Sequence, residues 1–346
     1  MKYCLILIDD ITRSGGTERV ASFLANQLVQ AGYAVTLVSL TAEQGEPYYP
    51  LLSAVSYRVL GSPSPWVVAR FLRTHPSDVL IPISMGRLSF KIASLHAVLR
   101  LKSRLILSEH VAFETSAWWV RALKWLSYQL ADDLVLLTDH DYRLLQSRVR
   151  SRVHVIRNAS SFPLVAQTQL ADKAKVVLAV GRLTYQKAFE RLIRIWASLP
   201  ERDGWTLRIV GDGEAREELQ GLITSLGITD SAFLIPASKA IAEEYQHASL
   251  LAMTSRYEGL PLVLVEAKSF GLPAVAFDCK TGPREIIRDG VDGILVADGD
   301  EVAFASQLAA LMHDDALRIQ FQHAALAHAE AFTIDRISQQ WQELIS

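Results

Sequence analysis

Val176-Val177-Leu178-Ala179-Val180, followed by the polar loop Gly181-Arg182-Leu183-Thr184-Tyr185-Gln186-Lys187, by Leu192, Ile193 and Trp196 at helical spacing, and then by Thr206–Val210, decides the fold. Five apolar residues closed by a glycine and a polar loop read as a buried strand; the spacing after them reads as a helix. The same order stands at the start of the chain. Tyr3–Ile8 is strand-like and Asp9–Gly16 is a polar loop. Val20, Phe23, Leu24, Leu28 and Ala31 then share one helical face closed by Gly32, and Ala34–Leu40 reads as the next strand. Alternation of this kind predicts a parallel sheet covered by helices on both faces, and two starts predict two Rossmann-like, doubly wound α/β domains.

A chain of 346 residues suits two domains. Pro163 and the Gln-Thr-Gln tract interrupt the pattern within Ser160–Ala174, which places one domain at 1–165 and the next at 166–325. Residues 326–346 form a tail, in which Ile337, Trp341 and Leu344 predict an amphipathic helix over Ile334–Ile345. The net charge of −2 gives the molecule as a whole no nucleic-acid or membrane signature. The halves differ: residues 1–160 hold 18 Lys+Arg against 12 Asp+Glu, and the remainder holds 17 against 25. Partners of unlike charge are therefore expected for the two halves. Cys4 and Cys279 form no framework, which suits a reducing cytosol. Asp9-Asp10 follow the first apolar run too closely for a signal peptide, and no apolar run reaches the length of a spanning helix.

The densest chemistry lies in Ser255-Arg256-Tyr257-Glu258-Gly259-Leu260-Pro261-Leu262-Val263-Leu264-Val265-Glu266-Ala267. Glu258 sits in a Gly-Leu-Pro turn, and Glu266 lies among apolar residues, where a charge needs a polar partner. Pro261 suits a helix start, which would set the amides of Gly259 and Leu260 where an anion is welcome. The apolar run also fits a buried strand, Glu258 could be a solvated loop charge, and Glu266 could pair with Lys268 or another basic group. In the Gly181–Lys187 loop, Arg182 leaves the strand end and Lys187 opens the helix. Two cations there oppose the helix dipole unless a diphosphate lies between them; a solvated pair is the other reading. Gly15-Gly16 open the first helix and permit close backbone approach to a ligand, although such turns are common. Gly211-Asp212-Gly213 begins like a dinucleotide fingerprint but lacks the third glycine, which tells against a nicotinamide enzyme. His110 follows the strand-like Arg104–Leu107. Asp139-His140-Asp141 and Asp298-Gly299-Asp300 read as helix caps rather than metal ligands.

Taken in order, Gly15-Gly16-Thr17-Glu18-Arg19, Ser108-Glu109-His110, Val155-Ile156-Arg157-Asn158, Val180-Gly181-Arg182-Leu183 through Lys187, Val210-Gly211-Asp212-Gly213, Glu258 to Glu266, Thr281–Ile287 and Asp289–Gly293 resemble glycosyltransferase family 4 nearly end to end. The resemblance implies the GT-B fold, with two Rossmann-like domains facing across a cleft, the first on the acceptor side and the second on the donor side. It implies retaining transfer from a UDP-sugar without a required metal ion or other cofactor. Carried over by position, Arg182 and Lys187 would bind the diphosphate. Glu258 would hold donor hydroxyls, and the amides of Gly259, Leu260 and Leu262 would lie near sugar and phosphate. Glu266 would bind ribose, Gly15, Gly16 and Gly211 would let backbone approach the donor, and His110 would stand at the sugar's reacting face. The tail helix would return to the first domain. Ala188 departs from the family, where glycine is usual, and Pro236-Ala237 stand where a glycine is common beside the base.

Arg87, Lys91, Arg100, Lys102, Arg104, Arg121 and Lys124, with Trp118, Trp119 and Trp125 among them, suit an anionic membrane face or a solvated helix over core tryptophans. The resemblance adds a lipid-linked glycan acceptor, as in lipopolysaccharide or other surface-polysaccharide synthesis, and a cytoplasmic, membrane-peripheral enzyme. A non-catalytic nucleotide-sugar binder, or a GT-B enzyme of another reaction such as an epimerase or phosphorylase, are the competing readings.

Overall fold

The computed structural model describes residues 2–167, 173–238 and 240–346, so part of the Gln-Thr-Gln tract lies outside the described residues. The chain forms two units. Ala159–Arg336 make the second, while the first runs to Asn158 and takes in Ile337–Ser346. The division falls earlier than 165/166 because the Ser160 N–H donates to the Phe332 carbonyl at 2.8 Å and the Val165 N–H to that of Ser269 at 3.0 Å. The irregular stretch around Pro163 is thus tied down inside the second unit. Residues 326–336 stay there as well, since Asp315–Ala329 is one continuous helix whose Phe321 enters that unit's core.

In the first unit, β1 (Tyr3–Asp10), β2 (Ala34–Thr41), β3 (Ser56–Val59), β4 (Val79–Ser84), β5 (Arg104–Glu109), β6 (Asp133–Leu136) and β7 (Arg152–Val155) form one sheet in the order β3-β2-β1-β4-β5-β6-β7. The second unit orders β8 (Val176–Val180), β9 (Thr206–Val210), β10 (Ala232–Ile235), β11 (Leu250–Met253), β12 (Ala274–Asp278) and β13 (Gly293–Ala297) as β10-β9-β8-β11-β12-β13. Neighbouring strands pair in parallel throughout. Burial on both faces explains the unbroken apolar runs, such as Cys4–Ile8 in β1. Strand order reverses between β1 and β4 and again between β8 and β11. Loops leaving those carboxyl ends are where doubly wound sheets bind ligands. Each unit is by itself a Rossmann-like, doubly wound parallel-sheet domain, as the sequence predicts.

Each unit is pinned by one buried aspartate ringed by basic groups. Asp133 meets Arg104 at 2.7 Å, Arg152 at 3.0 Å and His154 at 2.9 Å. Asp292 meets Lys268 at 2.6 Å, Arg288 at 2.7 Å and His328 at 3.0 Å. Burial works to raise both carboxyl pKa values, but the hydrogen bonds and charges around them win and hold both far below the ordinary range. Lys268 is therefore committed to Asp292 rather than to Glu266. Arg104 also donates to the Leu344 carbonyl at 2.6 Å, and Lys2 to that of Ile345 at 2.9 Å. Two cations thus meet the open carbonyls at the end of the helix Ile334–Ile345, whose Ile337, Trp341 and Leu344 are buried.

One cap differs from expectation. Asp300 accepts from the Ala303 N–H at 2.9 Å and caps its helix, but Asp139 lies inside the helix Asp139–Leu145. Thr138 is the cap there, its hydroxyl accepting the Asp141 N–H at 3.1 Å and donating to one Asp141 carboxylate oxygen at 3.1 Å, while the other takes the Phe113 N–H.

Candidate active site

In the second unit the reversal between β8 and β11 brings two loops together. Gly181 leaves β8 and Arg182–Lys187 follows; Thr254–Glu258 leaves β11. The Arg256 N–H donates to Gln186 O at 2.9 Å, and Gln186 Nε2 donates to Tyr257 O at 3.0 Å. The Arg256 guanidinium lies 3.9 Å from the Tyr185 ring centroid and pairs with Glu190 at 2.5 Å. Across this seam Lys187 Nζ meets Glu258 Oε1 at 2.7 Å, both side chains being largely buried. Arg182 is exposed and, among the described residues, carries no ion-pair partner. The two expected cations therefore differ: one is neutralised in place, and the other stands free.

Glycine is required beneath them. A Cβ at Gly211 would lie 1.9 Å from the Gly181 carbonyl oxygen, and one at Gly213 would lie 2.3 Å from that of Leu183. The loops leaving β8 and β9 touch backbone to backbone, which no side chain permits. Ala188 caps the helix Phe189–Ser198 at φ 53° and ψ 42°, the left-handed conformation that glycine prefers. The departure from the family thus leaves the backbone where a glycine would put it. Ala188→Gly would relieve about 1–2 kcal/mol of that strain. Losing a buried methyl costs about 0.8 kcal/mol, and the freer unfolded chain roughly 0.4–1 kcal/mol. Unfolding midpoints close to wild type are expected; a clear loss would show that the loop depends on the methyl.

The apolar run after Glu258 is the helix Leu262–Ser269, not a strand, with Pro261 at its cap. Gly259 and Leu260 precede that N-terminus, and Leu262 opens it. Glu266 is buried and accepts the Tyr245 O–H at 2.9 Å, while the Tyr245 ring stacks on Phe270 at 5.4 Å. Residues of the loop leaving β12 also build this turn. Thr281 takes φ 63° and donates to the Glu258 carbonyl at 2.6 Å, and a Cβ at Gly282 would meet the Gly259 carbonyl at 2.7 Å. A β-branched residue with positive φ is an outlier, and its hydroxyl shows what holds it there. Burial, and then Glu258, pushes the Cys279 thiol up to about 12, so it stays protonated.

In the first unit Gly15 caps and Gly16 opens the helix Gly16–Gln30 at the end of the loop leaving β1. A Cβ at Gly15 would meet Glu18 Oε2 at 2.3 Å. The buried Asp10 shapes this loop, accepting from Thr12 Oγ1 at 2.5 Å and from the Glu43 N–H at 3.0 Å. His110 follows β5. Its N–H donates to Ser84 O at 2.9 Å, and its Nε2 lies 2.9 Å from Ser108 Oγ. Although the residue keeps some solvent contact, burial and then the Lys124 cation lower its pKa to about 4, so the ring is neutral at pH 7. Lys124 itself corrects an expectation. It is fully buried, 3.1 Å from Glu109 and 2.9 Å from the Val111 carbonyl, so it clamps both neighbours of His110 instead of facing a membrane. Arg104, committed to Asp133, is likewise no surface charge. The spacing of Lys124 with Ser127 and Tyr128 on the inward helix face was the available signal.

Residues 14–159 match the family model described as Glycosyltransferase Family 4, and 163–328 that described as Glycosyl transferases group 1. The amylovoran biosynthesis glycosyltransferase AmsD of Erwinia amylovora is 44% identical, over 99% of each chain. A Campylobacter jejuni α-1,4-N-acetyl-D-galactosaminyltransferase, named for a diphospho-undecaprenol-linked glycan, is 30% identical over 96% of this chain and 95% of its own. Among solved structures, Anabaena HepE in complex with UDP superposes with a TM-score of 0.81 at 20% identity, covering 100% of this chain and 99% of that one.

Proposed function

This chain belongs to glycosyltransferase family 4, and on that ground we propose that it is a retaining enzyme moving a hexosyl or N-acetylhexosaminyl group from a UDP-sugar to a lipid-linked glycan in bacterial surface-polysaccharide synthesis. The observation that carries the donor half is the free Arg182 beside the Lys187–Glu258 pair at the β8/β11 switch point. A sugar diphosphate brings the negative charge that Arg182 lacks and gives Lys187 a second anion. Glu258, loosened from Lys187, can then accept hydrogen bonds from donor hydroxyls. The amides of Gly259, Leu260 and Leu262 lie at the helix N-terminus, where phosphate is favoured. Gly211 keeps the neighbouring loop low enough for close approach, and Tyr245 orients Glu266 for the ribose hydroxyls. As the glycosidic bond breaks, charge builds on the departing UDP, and Arg182 and Lys187 are preorganised to meet it. We assign that neutralisation to the two cations, with no metal ion or other cofactor required. From the first unit, Gly15 and Gly16 supply an open helix start, and His110 supplies a neutral hydrogen-bonding ring.

The acceptor half rests on the relatives. AmsD is named for amylovoran biosynthesis, and the Campylobacter enzyme for a glycan on diphospho-undecaprenol. Among the described residues no helix is long and apolar enough to cross a membrane. An enzyme peripheral to the inner face of the cytoplasmic membrane, reaching an acceptor held there, fits these facts.

UDP release should be measured from a panel of UDP-sugars, with and without a lipid extract of the source cells. Release from one sugar, dependent on lipid, is expected. Release that ignores lipid would remove the lipid-linked acceptor, and UDP binding without release from any sugar would overturn the donor or acceptor class and favour a non-catalytic binder.

A further inference from the structure

Between Glu46 and Glu109 the chain carries a single carboxylate, Asp78, and none stands between Glu114 and Asp132. The helices Pro65–Thr74, Arg87–Leu99 and Trp118–Tyr128 fall in these two tracts, so all three lack acidic residues. They cover one face of the first sheet: Val68, Phe71, Leu88, Ile92 and Tyr128 enter a common core beneath them. Their opposite faces are left outward, and there the apolar residues are large. Trp66 is 85% exposed, Trp118 75% and Trp125 49%, with Val98 and Leu126 also exposed. Exposed arginines, Arg70, Arg73, Arg87 and Arg100, lie on or beside the same helices. Lys91 reaches the Pro63 carbonyl at 2.9 Å, and the Arg87 guanidinium lies 4.8 Å from the Trp119 ring centroid. These contacts join the starts of the three helices into one continuous rim.

From this juxtaposition we infer that the outer face of the three helices is the surface on which the protein sits against an anionic lipid bilayer. Tryptophan is suited to the boundary between hydrocarbon and headgroups, and arginine to lipid phosphate. A protein partner of ordinary composition would not require a surface stripped of carboxylates across three successive helices. Repulsion from an anionic leaflet supplies that requirement, since each acidic group would oppose docking. In a right-handed α/β unit each of these helices begins beyond the carboxyl end of the strand before it. Trp66, Arg87 and Trp118 therefore lie at the end of the sheet that also carries His110 and Gly16. Docking there would bring membrane-held acceptors to the end of the first unit that bears its candidate residues, so the inference rests on the lipid-linked acceptor proposed above.

The test is co-sedimentation of the full chain with vesicles of phosphatidylglycerol and phosphatidylethanolamine, and with phosphatidylcholine vesicles, at low and high salt. Trp66→Glu, Trp118→Glu and Trp125→Glu are compared with wild type, and UDP binding is read by calorimetry on every sample. Binding to the anionic vesicles alone is expected, weakening with salt, and each variant should lose about tenfold or more in affinity. UDP binding should be unchanged throughout, which separates a failed surface from a failed donor site. Wild-type protein that ignores anionic vesicles, or variants that bind them as wild type does, would overturn the inference. A dimer that the same variants split into monomers, without vesicle binding, would give the face to a second copy and overturn it too.

Discussion

Glu258→Gln should lower turnover by about 10²–10³-fold while leaving UDP affinity equal to wild type or tighter. The carboxylate meets Lys187 at 2.7 Å, so on the proposed reading it competes with the donor diphosphate for that cation. Glutamine removes the competing charge and keeps the side-chain volume. The turn should survive, because Thr281 holds Glu258 through its backbone carbonyl, which the substitution does not touch. What is lost is the charged acceptor proposed for donor hydroxyls, whose bonds accelerate the reaction to the extent that they strengthen as the bond to UDP breaks. Lys187→Ala gives the opposite pattern: one charge-assisted contact of roughly 1.5–3 kcal/mol disappears, and UDP binding weakens by about 10- to 150-fold. Turnover under saturating donor and calorimetric UDP binding distinguish the two. A Glu258→Gln enzyme with wild-type turnover would remove Glu258 from the mechanism; one that no longer binds UDP would show the pair to be structural.

The sheets were legible in the sequence because parallel strands buried on both faces leave unbroken apolar runs, as Val176–Val180 does, and glycines punctuate their ends. The helix at Leu262 was only half legible. Leu-Pro-Leu-Val-Leu-Val fits strand and helix alike, and the choice falls to the cap at Pro261 and to Tyr245, which meets Glu266 from another element. The division between units was misplaced because the irregular backbone around Pro163 bonds to Phe332 and Ser269, residues remote in sequence. Charge was the hardest to read. Arg182 and Lys187 look equivalent as letters, yet one finds a carboxylate from a loop beyond β11 and the other does not. Lys124 reads as one more surface cation in a basic tract until the partner two elements away, Glu109, is known.

Lys124→Met is the sharper test of that last point, and should destabilise the first unit by about 3–5 kcal/mol, since removing one member of a buried pair strands the other's charge. Lys124 is fully buried, and a Cβ on Gly86 would come within 2.6 Å of its Cε. Gly86, at φ 121°, therefore leaves room for an unbranched stem, which methionine also has. Glu109 would keep the short bond from Ser89 at 2.5 Å but lose its counter-charge. In denaturant unfolding followed on the intact chain, the first unit's transition should move to clearly lower concentration. Lys124→Met with Glu109→Gln should recover most of the loss, because the glutamine can still accept from Ser89 and no charge remains stranded. A single variant as stable as wild type would show that the pair contributes nothing; a double variant as weak as the single would assign the loss to packing. The single variant also reports on His110, whose pKa is lowered by burial and then by the Lys124 cation. With that cation gone the pKa rises toward its ordinary value, so the neutral ring is lost at higher pH. The acid limb of the turnover profile should move up with it, a shift that a merely structural lysine would not produce.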